Sequence, residues 1–216
     1  MLKLIACICM LIDHINTCLY DRASVWAWLI GRLAFPLFGL TFVLTLKVHK
    51  GMATAKRLFI WAICTQPVYA LAFANTGFSP WWAGNILFSF AAVAYLVGLG
   101  KSPTIPRIVE AAPVVMLACI TQAPSSFGLA GIVFMLALWF LMQGTLPWVA
   151  TTFASLAFLG LNPGAPALAG CLAVSLAGIV AASSALRCLR PHRWLHPRIT
   201  LLFYVGHLGA IGNVVP

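Results

Sequence analysis

Long apolar runs alternate with short breaks along this chain, and each run is about as long as a membrane-crossing helix. A helix needs about 20 residues to cross the hydrocarbon core of a bilayer. Turn-forming residues mark the breaks, as in Asn162-Pro163-Gly164. The fifth and seventh runs are short, so tilted or re-entrant segments are alternatives there. The pattern predicts helices near 2–20, 26–46, 57–75, 81–99, 104–121, 126–143, 146–161, 166–187 and 199–214.

Composition supports a lipid environment for most of the chain. Of the 216 residues, 62% are hydrophobic and only 7% are charged. A soluble globular domain carries roughly 25% charged residues, so this chain has too few charges to cover a water-facing surface. We therefore predict an all-α, polytopic transmembrane helix bundle of about 8–9 spans. It forms a single integral-membrane domain over residues 1–216.

The net charge of +10 sits in short segments between the apolar runs. This placement is typical of cytoplasmic loops and does not indicate a nucleic-acid partner; membrane lipids are the expected surroundings. One orientation puts every basic cluster inside: a cytoplasmic N-terminus and, with nine spans, an external C-terminus. An eight-span version would put the C-terminus inside. The clusters are Lys47, Lys50, Lys56 and Arg57; Lys101 and Arg107; and Arg187, Arg190, Arg193 and Arg198.

The seven cysteines form no CxxC pair, and most lie within apolar runs. Buried thiols that behave as small hydrophobic side chains are the expected interpretation. The sequence therefore predicts neither a metal site nor a disulfide framework. The N-terminus superficially resembles a signal peptide whose apolar core ends at Asp13, but no convincing cleavage site follows, so the first run is expected to be a retained span.

Asp13 stands out because it lies inside the first apolar run. Placing an aspartate at the centre of a membrane helix costs about 2.5–3.5 kcal/mol, so such a residue usually finds a partner inside the bundle. Arg32, at a similar depth on the next span, is the natural partner. The pair could pin two helices together or could belong to an active site, and the two roles are compatible.

His14 and His207 are the two histidines within apolar runs. Neighbours on a helix point about 100° apart, so Asp13 and His14 are expected to reach different partners. His14 is a candidate general base, with a packing histidine as the alternative. His207 is a candidate for either helix packing or a pocket. It lies beside a predicted close-packing face of Gly206, Gly209 and Gly212.

Several segments together resemble the TraX family of conjugative-pilus maturation proteins. They are MLIDHI at 10–15, GRLAFPLF at 31–38, TQPVYALAF at 65–73 and NILFS at 85–89. Beyond them, FGLAG at 127–131 and FYVGHL at 203–208 resemble later family segments. At Ser126-Phe127-Gly128 the chain departs from the family, which often has an acidic residue and a tyrosine before the glycine. A second catalytic acid is therefore not expected there.

The resemblance implies a multi-pass protein of the bacterial inner membrane that acts on the conjugative pilin subunit. The family's namesake activity is N-terminal acetylation of pilin, with acetyl-CoA as the expected donor. Mapped by motif, the implied catalytic residues are Asp13, His14, Arg32 and His207. The implied substrate-binding residues are Gln66, Asn85, Tyr69 and Tyr204. In this scheme His14 is the base, Asp13 and Arg32 organise it, and Asn85 and Gln66 contact the oxyanion.

Two other functions stay open from the sequence. Some relatives serve plasmids whose pilins are cyclised head to tail. Cyclisation would need amide exchange between the two ends of one pilin. Cys18 and Ser125 are the nearest candidates for a nucleophile in that reaction. A non-enzymatic pilin chaperone or a small transporter is the other alternative. The basic loops at 47–57 and 187–198 could hold the phosphates of an acyl-CoA, although membrane topology alone explains them.

Overall fold

A computed structural model describes residues 2–46, 51–74, 76, 82–101, 105–122, 127–144, 146–162 and 197–214. Within these residues the chain forms helices and no strand, which confirms the predicted all-α class. The predicted helix near 166–187 lies outside the described residues. The helices are α1 (Leu2–Cys18), α2 (Val25–Gly31), α3 (Ala34–Leu46), α4 (Gly51–Phe73), α5 (Ile86–Lys101), α6 (Ile105–Gln122), α7 (Gly128–Gln143), α8 (Pro147–Leu161) and α9 (Pro197–Val214).

The span predicted near 26–46 corresponds to one apolar segment, Val25–Leu46, that is long enough to cross a membrane, but this segment is not a single helix. The segment forms two helices, α2 and α3, separated by a turn at Arg32 and Leu33. Pro36 explains the break, since it has no N–H to donate to the Arg32 carbonyl and its ring crowds that carbonyl. Arg32, the cation of the GRLAFPLF motif, therefore lies at the C-terminal end of α2, directly before the break.

Pro67 has a milder effect, because α4 continues through it from Gly51 to Phe73. The proline leaves the carbonyl of Ile63 without its usual intrahelical donor. One residue earlier, the Ala62 carbonyl accepts a 2.9 Å hydrogen bond from the Asn85 side chain. A polar side chain from outside the helix thus supports α4 close to its proline.

Contacts between helices link all nine helices that the structure describes. Helix α1 contacts α2, α3 and α9, and α9 also packs against α4. Helix α4 packs along α5, while α7 packs along α8 and reaches α3. The α4–α5 contact is close because Gly51 and Gly98 face each other, and a Cβ atom on Gly51 would lie 2.9 Å from the Gly98 backbone. The first helix is therefore surrounded by elements from both ends of the chain.

Among the described residues, one segment is long and apolar enough to cross a membrane by length and composition. It is Val25–Leu46, made by α2 and α3 together. Four shorter apolar helices accompany it, within Ile86–Gly100, Gly128–Gln143, Pro147–Leu161 and Ile199–Asn213. Because one such segment also occurs as the core helix of soluble proteins, the number of membrane crossings stays a prediction.

Candidate functional site

Asp13 and Arg32 form a buried ion pair between α1 and the α2–α3 break. The Nη2 atom of Arg32 donates to both carboxylate oxygens of Asp13, at 3.1 and 3.0 Å. The two residues are only 9% and 8% exposed. The guanidinium carbon also lies 5.6 Å from the Trp28 ring centroid and 5.8 Å from that of Phe127. The partner predicted for Asp13 is confirmed.

Gly31 makes room for this pair. A Cβ atom at position 31 would collide with the Asp13 side chain, whose Cγ would lie 2.6 Å away. Asp13 therefore rests directly against the backbone of α2, just before Arg32 in sequence. The Gly31-Arg32 dipeptide of the GRLAFPLF motif thus accommodates Asp13 in two ways. The glycine leaves space for the carboxylate, and the arginine neutralises its charge.

His14 and His207 form a second polar contact, between α1 and α9. Their atoms Nδ1 and Nε2, respectively, lie 2.7 Å apart, and the rings are stacked with centroids 5.0 Å apart. His207 Nδ1 lies 2.7 Å from the Phe203 carbonyl oxygen. Asp13 and His14 thus reach different partners, as predicted from their positions on the helix.

The Phe203 carbonyl fixes the tautomers of the two histidines. A carbonyl oxygen only accepts, so His207 Nδ1 carries the proton and donates it. In a neutral ring His207 Nε2 is then the acceptor, and His14 Nδ1 must donate to it. The remaining nitrogen of His14, Nε2, is therefore unprotonated. Within the described part of the chain this nitrogen has no hydrogen-bond partner.

A small cavity of about 40 Å³ lies beside His14. It is lined by the charged pair and by polar and aromatic side chains from both ends of the chain. This volume is large enough for a few water molecules or one small functional group. The lining residues are Met10, Asp13, His14, Thr17, Arg22, Arg32, Ala34, Phe35, Phe38, Tyr69, Phe73, Gly84, Ile86, Phe127 and Tyr204.

The turn between α1 and α2 brings Arg22 to this cavity. Asp21 and Arg22 both have left-handed backbones, with φ of 46° and 60°. For a non-glycine residue this conformation costs about 1–3 kcal/mol, so the surroundings must hold it in place. Burial, together with the nearby Arg32 guanidinium, lowers the pKa of Arg22 from its ordinary value. The turn thus places a second guanidinium where it is partly removed from water.

Asn16 supplies the support for this turn. Its side chain donates to the Ser24 carbonyl at 3.0 Å and accepts from the Ser24 N–H at 3.1 Å. The Asn16 carbonyl accepts from the Arg22 N–H at 2.8 Å. Ser24 then caps α2 by accepting from the Ala27 N–H. The last turn of α1, the left-handed residues and the start of α2 are joined in one network.

Gln66 and Asn85 contact each other, but they do not line the cavity. The Asn85 side-chain amide donates to the carbonyl of Ala62 and to the side-chain oxygen of Gln66, both at 2.9 Å. Gln66 in turn donates to the Ala83 carbonyl at 2.7 Å. These bonds fix the segment before α5 against α4, and Gly84 of that segment and Ile86, the first residue of α5, line the cavity. Oxyanion contact by these two amides stays a prediction.

Tyr69 and Tyr204 both line the cavity and are buried. Tyr204 lies edge-on to His207, with ring centroids 6.0 Å apart. Tyr69 packs on Phe73, and Phe73 meets His14 edge-on at 5.3 Å. The aromatic side chains therefore surround the histidine pair from α4 and α9.

Some predicted features lie elsewhere. Gly206 was expected to belong to a close-packing face of α9, but nothing lies within 4 Å of a Cβ placed there, so this prediction is wrong. Gly212 does pack on the α4 backbone, with Ala72 N 3.6 Å from such a Cβ. Cys18 does not line the cavity. Ser125, residues 187–196 of the predicted 187–198 loop, Lys47 and Lys50 lie outside the described residues, while Pro197 and Arg198 begin α9.

Sequence reasoning missed several supporting residues: Asn16, Arg22, Gly31 and Phe127. Phe127 stacks on Phe35 with ring centroids 4.3 Å apart, and a Cβ on Gly131 would lie 2.8 Å from the Phe35 ring. The FGLAG segment therefore belongs to the wall of the cavity. For Gly31 and Phe127 the signal available in the sequence was a glycine next to a charged or bulky motif residue, whereas no glycine adjoins Asn16 or Arg22.

Over its described residues the protein is all-helical, and a carboxylate–guanidinium pair lines one small cavity together with His14, which His207 contacts from behind. The chain belongs to the TraX family, because the model of the TraX protein family matches residues 1–215.

Two curated relatives are similar to this chain. A Protein TraX from Escherichia coli is 41% identical over 98 residues, which cover 44% of this chain and 37% of the relative. A second Protein TraX, from Escherichia coli strain K12, is 37% identical over 134 residues, which cover 61% of this chain and 51% of that relative. The matches thus span about half or less of the relatives' own length. No solved structure matches the chain significantly.

Proposed function

We propose that this chain is a multi-pass protein of the bacterial inner membrane that acetylates the N-terminal amine of a conjugative pilin subunit. The observation that carries the proposal is the His14–His207 contact, which leaves an unprotonated imidazole nitrogen on a residue that lines the cavity. Membership of the TraX family supports a role in conjugation. Acetyl-CoA is the proposed acetyl donor.

The surface supports a membrane location. Large apolar side chains are exposed on several helices, among them Trp148 on α8, Leu71 on α4 and Leu202 on α9. Contiguous exposed apolar surface is unfavourable in water and is typical of proteins that face lipid. The exposed cations Lys56 and Arg57 lie in the first half of α4. Such charges favour a cytoplasmic position for that end of the helix.

The chemistry requires a base for the attacking amine. An N-terminal amine must be unprotonated to attack the thioester carbonyl of acetyl-CoA. His14 Nε2 removes a proton from the nitrogen as the N–C bond forms. The tetrahedral intermediate then collapses, the C–S bond breaks, and His14 returns the proton to the departing thiolate. The products are the N-acetylated pilin and free coenzyme A, and the histidine is regenerated.

The remaining residues position this base. His207 accepts the Nδ1–H of His14 and so holds its ring and tautomer, while the Phe203 carbonyl holds His207. The Asp13–Arg32 pair fixes the end of α1 against the α2–α3 break. Precise placement of this kind lowers the barrier, because the reacting atoms no longer need to be brought together by chance.

Intact-mass measurement of pilin tests the proposal. Pilin is produced in cells with the wild-type protein, with His14→Ala, with the matched control Asn213→Ala on the exposed side of α9, or without the protein. We expect a gain of one acetyl group with the wild type and the control only. Loss of one water would instead show cyclisation, and an unchanged mass would leave a chaperone or transporter.

A further inference from the structure

The cavity has a polar side and an apolar side, and these come from different elements. The polar lining residues belong to α1, to the turn after it and to the α2–α3 break: Asp13, His14, Thr17, Arg22 and Arg32. The apolar lining residues come mainly from α3, α4, α5 and the N-cap of α7: Ala34, Phe35, Phe38, Phe73, Ile86 and Phe127. A ligand that fits this lining has a polar end and an apolar end, as an acyl group has in its carbonyl and its alkyl chain.

The wall formed by Phe35 and Phe127 is tightly packed. The two rings are stacked with their centroids 4.3 Å apart, and the Phe35 ring also lies 5.9 Å from that of Phe134. A Cβ atom on Gly131 would lie 2.8 Å from the Phe35 ring, so the α7 backbone rests directly behind it. Close-packed interiors have low compressibility, and a wall packed in this way does not retreat to admit further atoms.

Hydrogen bonds fix a second wall, which contains Ile86. The Asn85 N–H donates to the Gln66 side chain at 3.1 Å, and the Asn85 side chain donates to the Ala62 carbonyl at 2.9 Å. The Asn85 side-chain oxygen also accepts from the Leu87 N–H at 3.0 Å. Ile86 therefore lies between two residues whose backbone N–H groups are both bonded, and its position relative to α4 is determined by this network.

Fixed walls make the volume of the cavity a limit on the acyl group. One water molecule needs about 10–15 Å³ of such volume, so a cavity of about 40 Å³ has space for about three groups of that size. An acetyl group, which consists of a carbon, an oxygen and a methyl group, fills this space. Propionyl and butyryl groups are longer by one and two methylene groups, and the additional atoms would meet the walls.

Phe73 and Ile86 are the lining residues that limit the length of the acyl chain most directly. The buried Phe73 ring meets His14 edge-on with the centroids 5.3 Å apart, so it occupies space beside the proposed base. Tyr69 packs against the same ring at 4.8 Å and keeps it in place. Ile86 has a β-branched side chain, which has few alternative rotamers. Neither side chain can therefore turn aside easily for a longer ligand.

We propose that the cavity selects acetyl over longer acyl groups, with Phe73 and Ile86 as specificity-determining residues. The inference rests on the proposed acetyl transfer and defines the class of donor that it uses. The acyl carbon lies on the side of His14, and its methyl group points to the apolar side. The N–C bond that forms and the C–S bond that breaks are the same for every donor, so the walls alone discriminate. One additional methylene group is discriminated by on the order of 10–200-fold.

Transfer from a series of donors tests the selectivity. Protein in nanodiscs is given mature pilin with acetyl-CoA, propionyl-CoA or butyryl-CoA, and initial rates from intact-mass spectrometry give kcat/KM. We expect the wild type to use propionyl-CoA about 10–200-fold less efficiently than acetyl-CoA, and butyryl-CoA less efficiently still. Ile132→Ala, a buried control on α7 outside the lining, should keep this order. Phe73→Ala and Ile86→Ala should each raise the ratio of butyryl to acetyl transfer by about 10-fold or more.

The possible outcomes separate this inference from the acetyl transfer on which it rests. Equal use of acetyl-CoA and butyryl-CoA by the wild type would overturn the size limit and leave acyl transfer intact. A ratio that is unchanged in both enlarged variants would overturn the roles of Phe73 and Ile86. Partial misfolding lowers transfer from all donors alike, so it does not imitate a change in this ratio. Transfer from no donor by the wild type would overturn the acetyl transfer and the size limit with it.

Discussion

His14 Nδ1 lies 2.7 Å from His207 Nε2, although 193 residues separate the two histidines in sequence. The contact joins the first helix to the last described one, and it determines which nitrogen of His14 is free to accept a proton. It also places the α9 histidine behind the cavity, since His207 itself is not part of the lining. His207 is therefore a positioning residue, and His14 is the proposed base.

The first prediction separates these two roles. Removing the base with His14→Ala should lower kcat by about 10²–10⁴-fold. His207→Gln keeps an acceptor oxygen for the His14 Nδ1–H and should retain part of the activity, whereas His207→Leu should lose more. Steady-state kinetics on protein embedded in nanodiscs measure the kcat of each variant and so rank them. Equal activity of the Gln and Leu variants, at equal Tm, would show that the contact only packs the helices.

The second prediction concerns the ion pair. Asp13→Asn or Arg32→Gln alone leaves one buried charge without its partner, so each should destabilise the protein by about 3–5 kcal/mol. The double variant Asp13→Asn/Arg32→Gln leaves no buried charge unpaired and should recover part of that stability while staying inactive. The free energies of unfolding in detergent, analysed as a double-mutant cycle, give the coupling free energy between Asp13 and Arg32. Independent, additive effects would mean that the pair contributes no coupling energy.

The third prediction uses the contact between Gly31 and Asp13. Gly31→Ala forces a methyl group into the carboxylate and should cost about 1–3 kcal/mol, as overpacking usually does. Gly206→Ala is the matched control, since a Cβ there meets nothing within 4 Å. It should be neutral or slightly stabilising, because alanine favours helix. Similar Tm values for the two variants would show that Asp13 does not need this space.

The fourth prediction concerns the turn that carries Arg22. Asn16→Ala removes both side-chain bonds to the Ser24 backbone and should cost about 1–3 kcal/mol. Its effect should be local, with faster hydrogen exchange at residues 19–24. The control Ser24→Ala removes the helix cap but leaves the Asn16 bonds, so exchange at Arg22 should change less. If both variants exchange alike at Arg22, Asn16 does not hold the turn.

Sequence patterns predicted the helices well, because apolar run length and turn residues are local signals. The Asp13–Arg32 pair was also predictable, since a buried carboxylate needs a cation and Arg32 lies on the next span. Pro36 is a visible signal for a break in the span near 26–46, but apolar periodicity alone does not distinguish a kinked helix from an interrupted one, so the turn at Arg32 and Leu33 was not predicted.

The contacts of α9 could not be predicted from the sequence. Nothing in the pattern around His207 specifies which helix it faces, so the choice between packing and a pocket stayed open. Arg22 was overlooked for another reason. It lies in a short polar turn, where an arginine is normally solvated, and the pattern gives no sign of the Asn16 network that holds this turn beside the cavity.

Reconstituted acetyl transfer tests the central claim most directly. Mature pilin purified from cells without this protein is mixed with deuterated acetyl-CoA and nanodiscs that contain either the wild type or His14→Ala. Mass spectrometry of the N-terminal peptide then measures the label. The account predicts a deuterated acetyl group on the N-terminal amine with the wild type and almost none with the variant. No label with the wild type, or equal label with both proteins, would contradict it.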